Sequence, residues 1–131
     1  MNSYFQKVQG FLLDLECEIV HSNEEEGIFW VKKEESGIYN LVIGCLDPIL
    51  VMEQYLFELR KDSTEVFKSL LIKNRDIIHG AFVLDEFGRK IIFRDTLQLE
   101  NLDRGELEGS LNSLSLLLSE YSDELIRFSK L

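Results

Sequence analysis

Proline is nearly missing from this chain: there is one in 131 residues, at position 48, between two apolar runs. Proline-rich linkers and low-complexity stretches are therefore absent, and the length suits a single domain with one core, spanning residues 1–131. Cysteine is almost as scarce. Cys17 and Cys45 stand far apart with no C-x-x-C pair, which excludes a disulfide framework and reads as two buried, reduced thiols. Basic residues are in deficit, 14 Lys and Arg against 24 Asp and Glu. The resulting net charge of −10 repels phosphate backbones, so nucleic acid and anionic membrane surfaces are not expected partners. Long apolar runs are missing too. "IYNLVIGCL" and "SLNSLSLLLS" are too short to cross a bilayer, and "MNSYFQKVQGFLLDLECE" lacks the basic-then-apolar order of an export signal. We expect a cytoplasmic protein with no membrane insertion.

Catalytic patterns are also lacking. The chain has no G-x-S-x-G elbow, no phosphate-cradling glycine loop and no dinucleotide-binding glycine pattern. His21, His79, Cys17 and Cys45 stand at no zinc-ligand spacing, and Glu24, Glu25 and Glu26 do not follow a calcium-loop pattern. "DEFG" at 85–88 is not a kinase D-F-G, because Glu86 intervenes. No metal and no cofactor is expected. One stretch, "HGAFVLDEFGRKIIFRD" at 79–95, gathers enough charge to suggest a small hydrolase or transferase using His79, Asp85 and Asp95. That reading requires the three side chains to meet in a pocket. A hairpin accounts for the same residues with Asp85 and Gly88 shaping a solvated turn, and Phe82, Leu84, Ile91 and Phe93 facing a core.

What is present is a regular alternation of patterns. Ser3 and Gln6 fit a capping box before Phe5, Val8, Leu12 and Leu15, predicting a helix over 3–15. "GIFWVKK" and "IYNLVIGCL" read as strands about a Ser36-Gly37 turn. Asp47-Pro48 supplies the next turn, with proline suited to its first corner, and residues 49–59 read as a hairpin partner. Asp62 and Glu65 mark a helix start with a stripe from Val66 to Asn74. "AFVL" and "KIIF" follow. Asp103 and Glu106 then cap a long helix whose face carries Leu107, Leu111, Leu114, Leu118, Tyr121, Leu125 and Phe128. The expected class is α+β, an antiparallel sheet packed with helices in the order α-β-β-β-α-β-β-α.

Residues 70–114, "LLIKNRDIIHGAFVLDEFGRKIIFRDTLQLENLDRGELEGSLNSL", resemble the YbjN-like proteins. More remotely, they resemble the bacterial type III secretion chaperones of the Tir chaperone (CesT) type. The features that carry the likeness are Leu-x-x-x-Asn at Leu70–Asn74, a strand with Phe82, Val83 and Leu84, and an Asp-Glu-x-Gly turn. An apolar strand and "LQLENLDRGELE" lead from there into the final helix. The resemblance implies the type III secretion chaperone-like sandwich, a cofactor-free homodimer, and no enzymatic activity. It also implies a protein client, held as an extended segment against apolar grooves. The YbjN-like alternative is a regulatory or adaptor protein that binds one folded partner in a stress or envelope pathway.

Candidates for the partner or dimer surface are Phe29, Trp30, Val51, Tyr55, Phe57, Phe67, Leu116 and Ile126. In "IFWVKK" either Phe29 or Trp30 faces away from the helices. Leu116 and Ile126 point off the last helix's main face, and Gly105 and Gly109 lie on Leu116's side. The expected dimer contact uses the 49–59 strand, the 64–74 helix, or both.

Overall fold

The computed structural model describes residues 3–131, with Ser3 described by its backbone alone. The capping box expected at Ser3 therefore lies outside the described side chains. The first helix, α1, runs Ser3–Asp14 and buries Phe5, Val8 and Leu12 along one stripe. Its end is a Schellman motif. The Cys17 N–H donates to the Leu12 carbonyl and the Glu16 N–H to that of Leu13, both at 3.0 Å, with Glu16 at φ 62°.

Four strands follow: β1 (Glu18–Asn23), β2 (Ile28–Lys33), β3 (Ile38–Leu46) and β4 (Ile49–Glu58). Helix α2 (Thr64–Asn74), strands β5 (Ala81–Leu84) and β6 (Lys90–Gln98), and helix α3 (Arg104–Ser129) complete the chain. The elements follow the expected order α-β-β-β-α-β-β-α, with one addition. Residues 18–23, to which the sequence reading assigned no element, form a strand of their own. The sheet runs β1-β2-β3-β4-β6-β5, with every pair antiparallel.

The turns follow local chemistry. Glu24–Gly27 closes the first hairpin: the Gly27 N–H donates to the Glu24 carbonyl, and the Asn23 side chain accepts from the Glu26 N–H. Leu46 pairs with Ile49, so Pro48 takes the second corner of its turn instead of the first, behind a cis peptide. The start of α2 is one residue later than the Asp62 signal, because the Ser63 hydroxyl accepts the Val66 N–H. At α3 the capping box forms as read. Asp103 accepts from the Glu106 N–H at 2.7 Å, and Glu106 accepts from the Asp103 N–H at 3.2 Å.

All three helices cover one face of the sheet. Cross-strand partners Phe29, Ile43 and Met52 are fully buried there, as is Phe93. Phe5 of α1 stacks on Phe29 with ring centroids 4.2 Å apart. Helix α3 buries Leu107, Ser110, Leu111, Leu114, Leu117, Leu125 and Phe128. Leu117, which the expected face omitted, is thus buried, whereas Leu118, which that face included, is only half-buried. Each large side chain so buried contributes about 1.5–3 kcal/mol.

Candidate functional site

The charged stretch 79–95 does not assemble a reactive centre. Asp85 sits in the β5–β6 turn, where its Oδ1 accepts the N–H groups of Arg89 (2.8 Å) and Lys90 (3.0 Å). These two backbone donors hold its carboxyl below the ordinary aspartate range, Lys90's contributing most. Asp95 lies toward the other end of β6, about 15 Å away at the rise of an extended strand. It turns toward α3, where the Ser110 hydroxyl donates to its Oδ2 at 2.6 Å. His79 offers its backbone carbonyl to Ser113, and its ring rests on Gly109. Among the described residues no hydrogen bond joins the His79 ring to either carboxylate, and no group of His, Cys, Asp and Glu is arranged to hold a metal ion. Cys17 and Cys45 are both buried and unpaired. Burial raises the thiol pKa of Cys17 and pushes that of Cys45 up to about 11, so both remain protonated at neutral pH.

What the fold does build is apolar surface. On the face of the sheet opposite the helices, the pairs Trp30/Val42 and Tyr55/Ile92 point outward, with Glu53/Arg94 between them. Arg94 Nη1 lies 2.7 Å from Glu53 Oε2. Trp30 is 37% exposed and leans against the His21 ring; Tyr55 is 49% exposed. Strand alternation alone could not choose between Phe29 and Trp30. The structure does: Phe29 is in the core and Trp30 faces out. Phe57 is buried on the helix side and so leaves the candidate surface. Val51 shares the outward face but is nearly covered, opposite Gly44 and Thr96. Strand β4 lies inside the sheet between β3 and β6, so it can offer a partner side chains but no hydrogen-bonding edge.

A second apolar surface lies where α2 meets β5. Phe67, Leu70, Leu71, Phe82 and Leu84 line a recess of about 300 Å³, and Leu71 and its neighbour Ile72 are more than 60% exposed. Sequence reading singled out Phe67 here but not Leu71 or Leu84. The signal was the run Leu70-Leu71-Ile72, longer than one helical stripe needs. Leu116 and Ile126 are exposed on α3 as expected, but they belong to separate depressions.

The two sheet edges differ. Strand β5 is short, and Asn74 at the end of α2 covers it: its Oδ1 accepts the Phe82 N–H at 2.8 Å and its Nδ2 donates to the Phe82 carbonyl at 3.2 Å. The amide side chain takes the place of a neighbouring strand. Strand β1, bulged between Ile19 and His21, is the other edge and pairs only with β2 among the described residues.

A polar clamp fixes α2 to α3. Lys73 Nζ lies 2.8 Å from Glu124 Oε1, donates to Ser69 at 2.7 Å, and sits over the rings of Tyr121 and Phe128. The hydrogen bond from Lys73 holds the Glu124 carboxyl below its ordinary range. Because the folded-state value is depressed, this stabilisation is present above the ordinary glutamate pKa and is lost as pH falls through the folded one. Glu124→Gln is expected to cost about 0.5–1 kcal/mol at neutral pH, limited by solvent screening of a partly exposed pair. It should also flatten the acid limb of the stability curve, as read by thermal unfolding between about pH 7 and 3.

The class defined by this architecture is a one-sided α+β sandwich with one sheet face open. The CesT_Tir_1 family model matches residues 1–131, and the chain belongs to that family. The fold is shared with YbjN from E. coli, with a TM-score of 0.68 at 12% identity over 91% of each chain. It is shared with a chain of the HopA1–SchA chaperone–effector complex, TM-score 0.61 and 14% identity over 97% of this chain and 94% of that one. It is also shared with a chain of the Yersinia pestis type III secretion chaperone SycH in complex with a stable fragment of YscM2, TM-score 0.61 and 18% identity over 97% of this chain and all of the other. A sequence search of curated proteins finds no match. Among the described residues, no helix is long and apolar enough to cross a membrane.

Proposed function

We propose that this protein is a cytoplasmic, homodimeric chaperone-like module that holds an extended segment of a client protein and carries out no covalent chemistry. The observation that carries the reading is the asymmetry of the sheet. One face is sealed by three helices, whereas the other presents Trp30 and Tyr55. Aromatic side chains set around a charged pair suit a segment with alternating apolar and polar residues. Strand β1 supplies a free edge for main-chain hydrogen bonds to the same segment. The exposed Leu71 and Ile72 of α2, beside the Phe67 recess, are the contact proposed for the second copy. The net charge of −10 favours keeping an apolar client in solution.

The test is mild-lysis co-purification from native cells, with bound proteins identified by mass spectrometry and limited proteolysis. A stoichiometric partner protected over one extended segment is the expected result. Trp30→Ala with Tyr55→Ala should weaken that partner by about tenfold or more while leaving the unfolding midpoint within a few degrees, since both residues are exposed. Retention of the partner by the double variant would move binding off this face. A rigid folded domain as the partner would make the protein an adaptor instead.

A further inference from the structure

The residues between α2 and β5 fold back onto α3 and leave a cleft of about 480 Å³ on the helix side of the molecule, away from the open sheet face. Its apolar wall includes Leu116, 64% exposed, and Ile78, 88% exposed, next to the buried Leu117. Carboxylates are its other component: Asp76 from the loop and Glu120 from α3 both line it, and neither forms an ion pair among the described residues. Lys73, the nearby cation on α2, is already committed to Glu124. Two acids on a convex surface would simply be solvated. Here they adjoin apolar side chains that nothing covers.

We infer that this cleft docks a basic segment of a partner protein, an arginine whose alkyl stem lies along Leu116 and Ile78 while its guanidinium meets Asp76 and Glu120. The chemistry is that of arginine specifically. Its stem tolerates apolar contact, and its planar fork can satisfy a carboxylate with two hydrogen bonds. The local field agrees: the Tyr121 hydroxyl in the cleft is held above its ordinary range by burial and then by the charges of Glu120, Asp76 and Glu124. The volume accommodates one arginine side chain with its immediate neighbours, so the docked segment is short. Gly109, without a side chain, lets the His79 ring settle against α3 at one wall; a Cβ there would lie 3.4 Å from its Nε2. This contact is separate from the client-holding face and does not depend on it.

The experiment is an NMR titration of the isotope-labelled full chain with the acetylated, amidated tripeptide Leu-Arg-Leu, and with its neutral counterpart containing citrulline. Saturable shifts at Ile77, His79, Gly109 and Leu116 are expected with the arginine peptide, about fivefold weaker with citrulline. Asp76→Asn with Glu120→Gln should weaken the arginine peptide by a similar factor, and unchanged signals elsewhere would show the fold intact. The proposal is overturned by absence of saturable shifts at the cleft, or by equal binding of the two peptides. It is overturned equally if dilution of the protein alone moves the same signals, because a second copy would then be the occupant. Trp30 and Tyr55 are read in the same spectra, so failure at the cleft is distinguishable from failure of the sheet-face reading.

Discussion

Gly80→Ala should be among the most damaging single-methyl changes available in this protein, lowering stability by about 2–5 kcal/mol. Gly80 sits at φ 88°, just before β5, with its backbone against the fully buried Phe93. An added Cβ would overlap the Phe93 ring at Cζ, lie 2.6 Å from its Cε2, and approach the Arg94 carbonyl oxygen to 3.0 Å. Phe93 cannot withdraw easily, because it faces Phe82 and Gln54 across its neighbouring strands. The control is Gly88→Ala in the β5–β6 turn. Its φ of 71° is similar, but nothing lies within 4 Å of a Cβ there, so only the conformational cost of about 1–2 kcal/mol applies. Urea unfolding of the two variants separates the effects: a larger drop in midpoint for Gly80→Ala at unchanged slope measures the collision with the core. Equal losses would mean that Phe93 relaxes.

Asn74→Ala is the second large effect. Both polar atoms of its side chain engage the backbone of Phe82, and the substitution leaves a partly buried N–H and C=O unpaired. The expected loss is about 2 kcal/mol, the usual cost of stranding such groups. The readout that identifies the cause is hydrogen exchange at the Phe82 amide, which should lose protection well beyond the global change. If Phe82 stays as protected as its neighbours, the bond contributes little and the destabilisation comes from packing at the end of α2.

The same two residues show what a sequence can disclose. Leu-x-x-x-Asn was visible as a pattern at Leu70–Asn74, but its meaning was not, because the partner backbone is eight residues on and belongs to another element. Gly80 carries no signal of its own in the sequence, because its close approach to Phe93 exists only once β5 and β6 are paired. Local chemistry read well. Asp85, Asp103 and Glu106 make the turn and capping bonds that their spacing suggests, since each bond closes within five residues. Strand β1 escaped notice because "EIVHSN" does not alternate: it is an edge strand with a bulge, mostly exposed. The candidate surface was legible in part. Trp30, Tyr55, Leu116 and Ile126 are exposed, but Phe29 and Phe57 are core, because apolar residues on both sides of a strand conceal which side the helices take. The cleft beside α3 had no local signal, since it arises from a loop folding back over a helix distant in sequence.

The unequal edges of the sheet limit how copies of this molecule can grow together. A β-protein with two open edges can add copies head to tail without end, because each addition presents a fresh edge. Here Asn74 occupies the outward backbone groups of Phe82 on the four-residue β5, so among the described residues β1 is the longer and more open edge. Two copies meeting through β1 would do so symmetrically, each consuming the other's open edge, and the pair would then have none to offer. Edge-to-edge association through β1 is thereby confined to a closed pair, and a client strand seated on β1 would exclude even that.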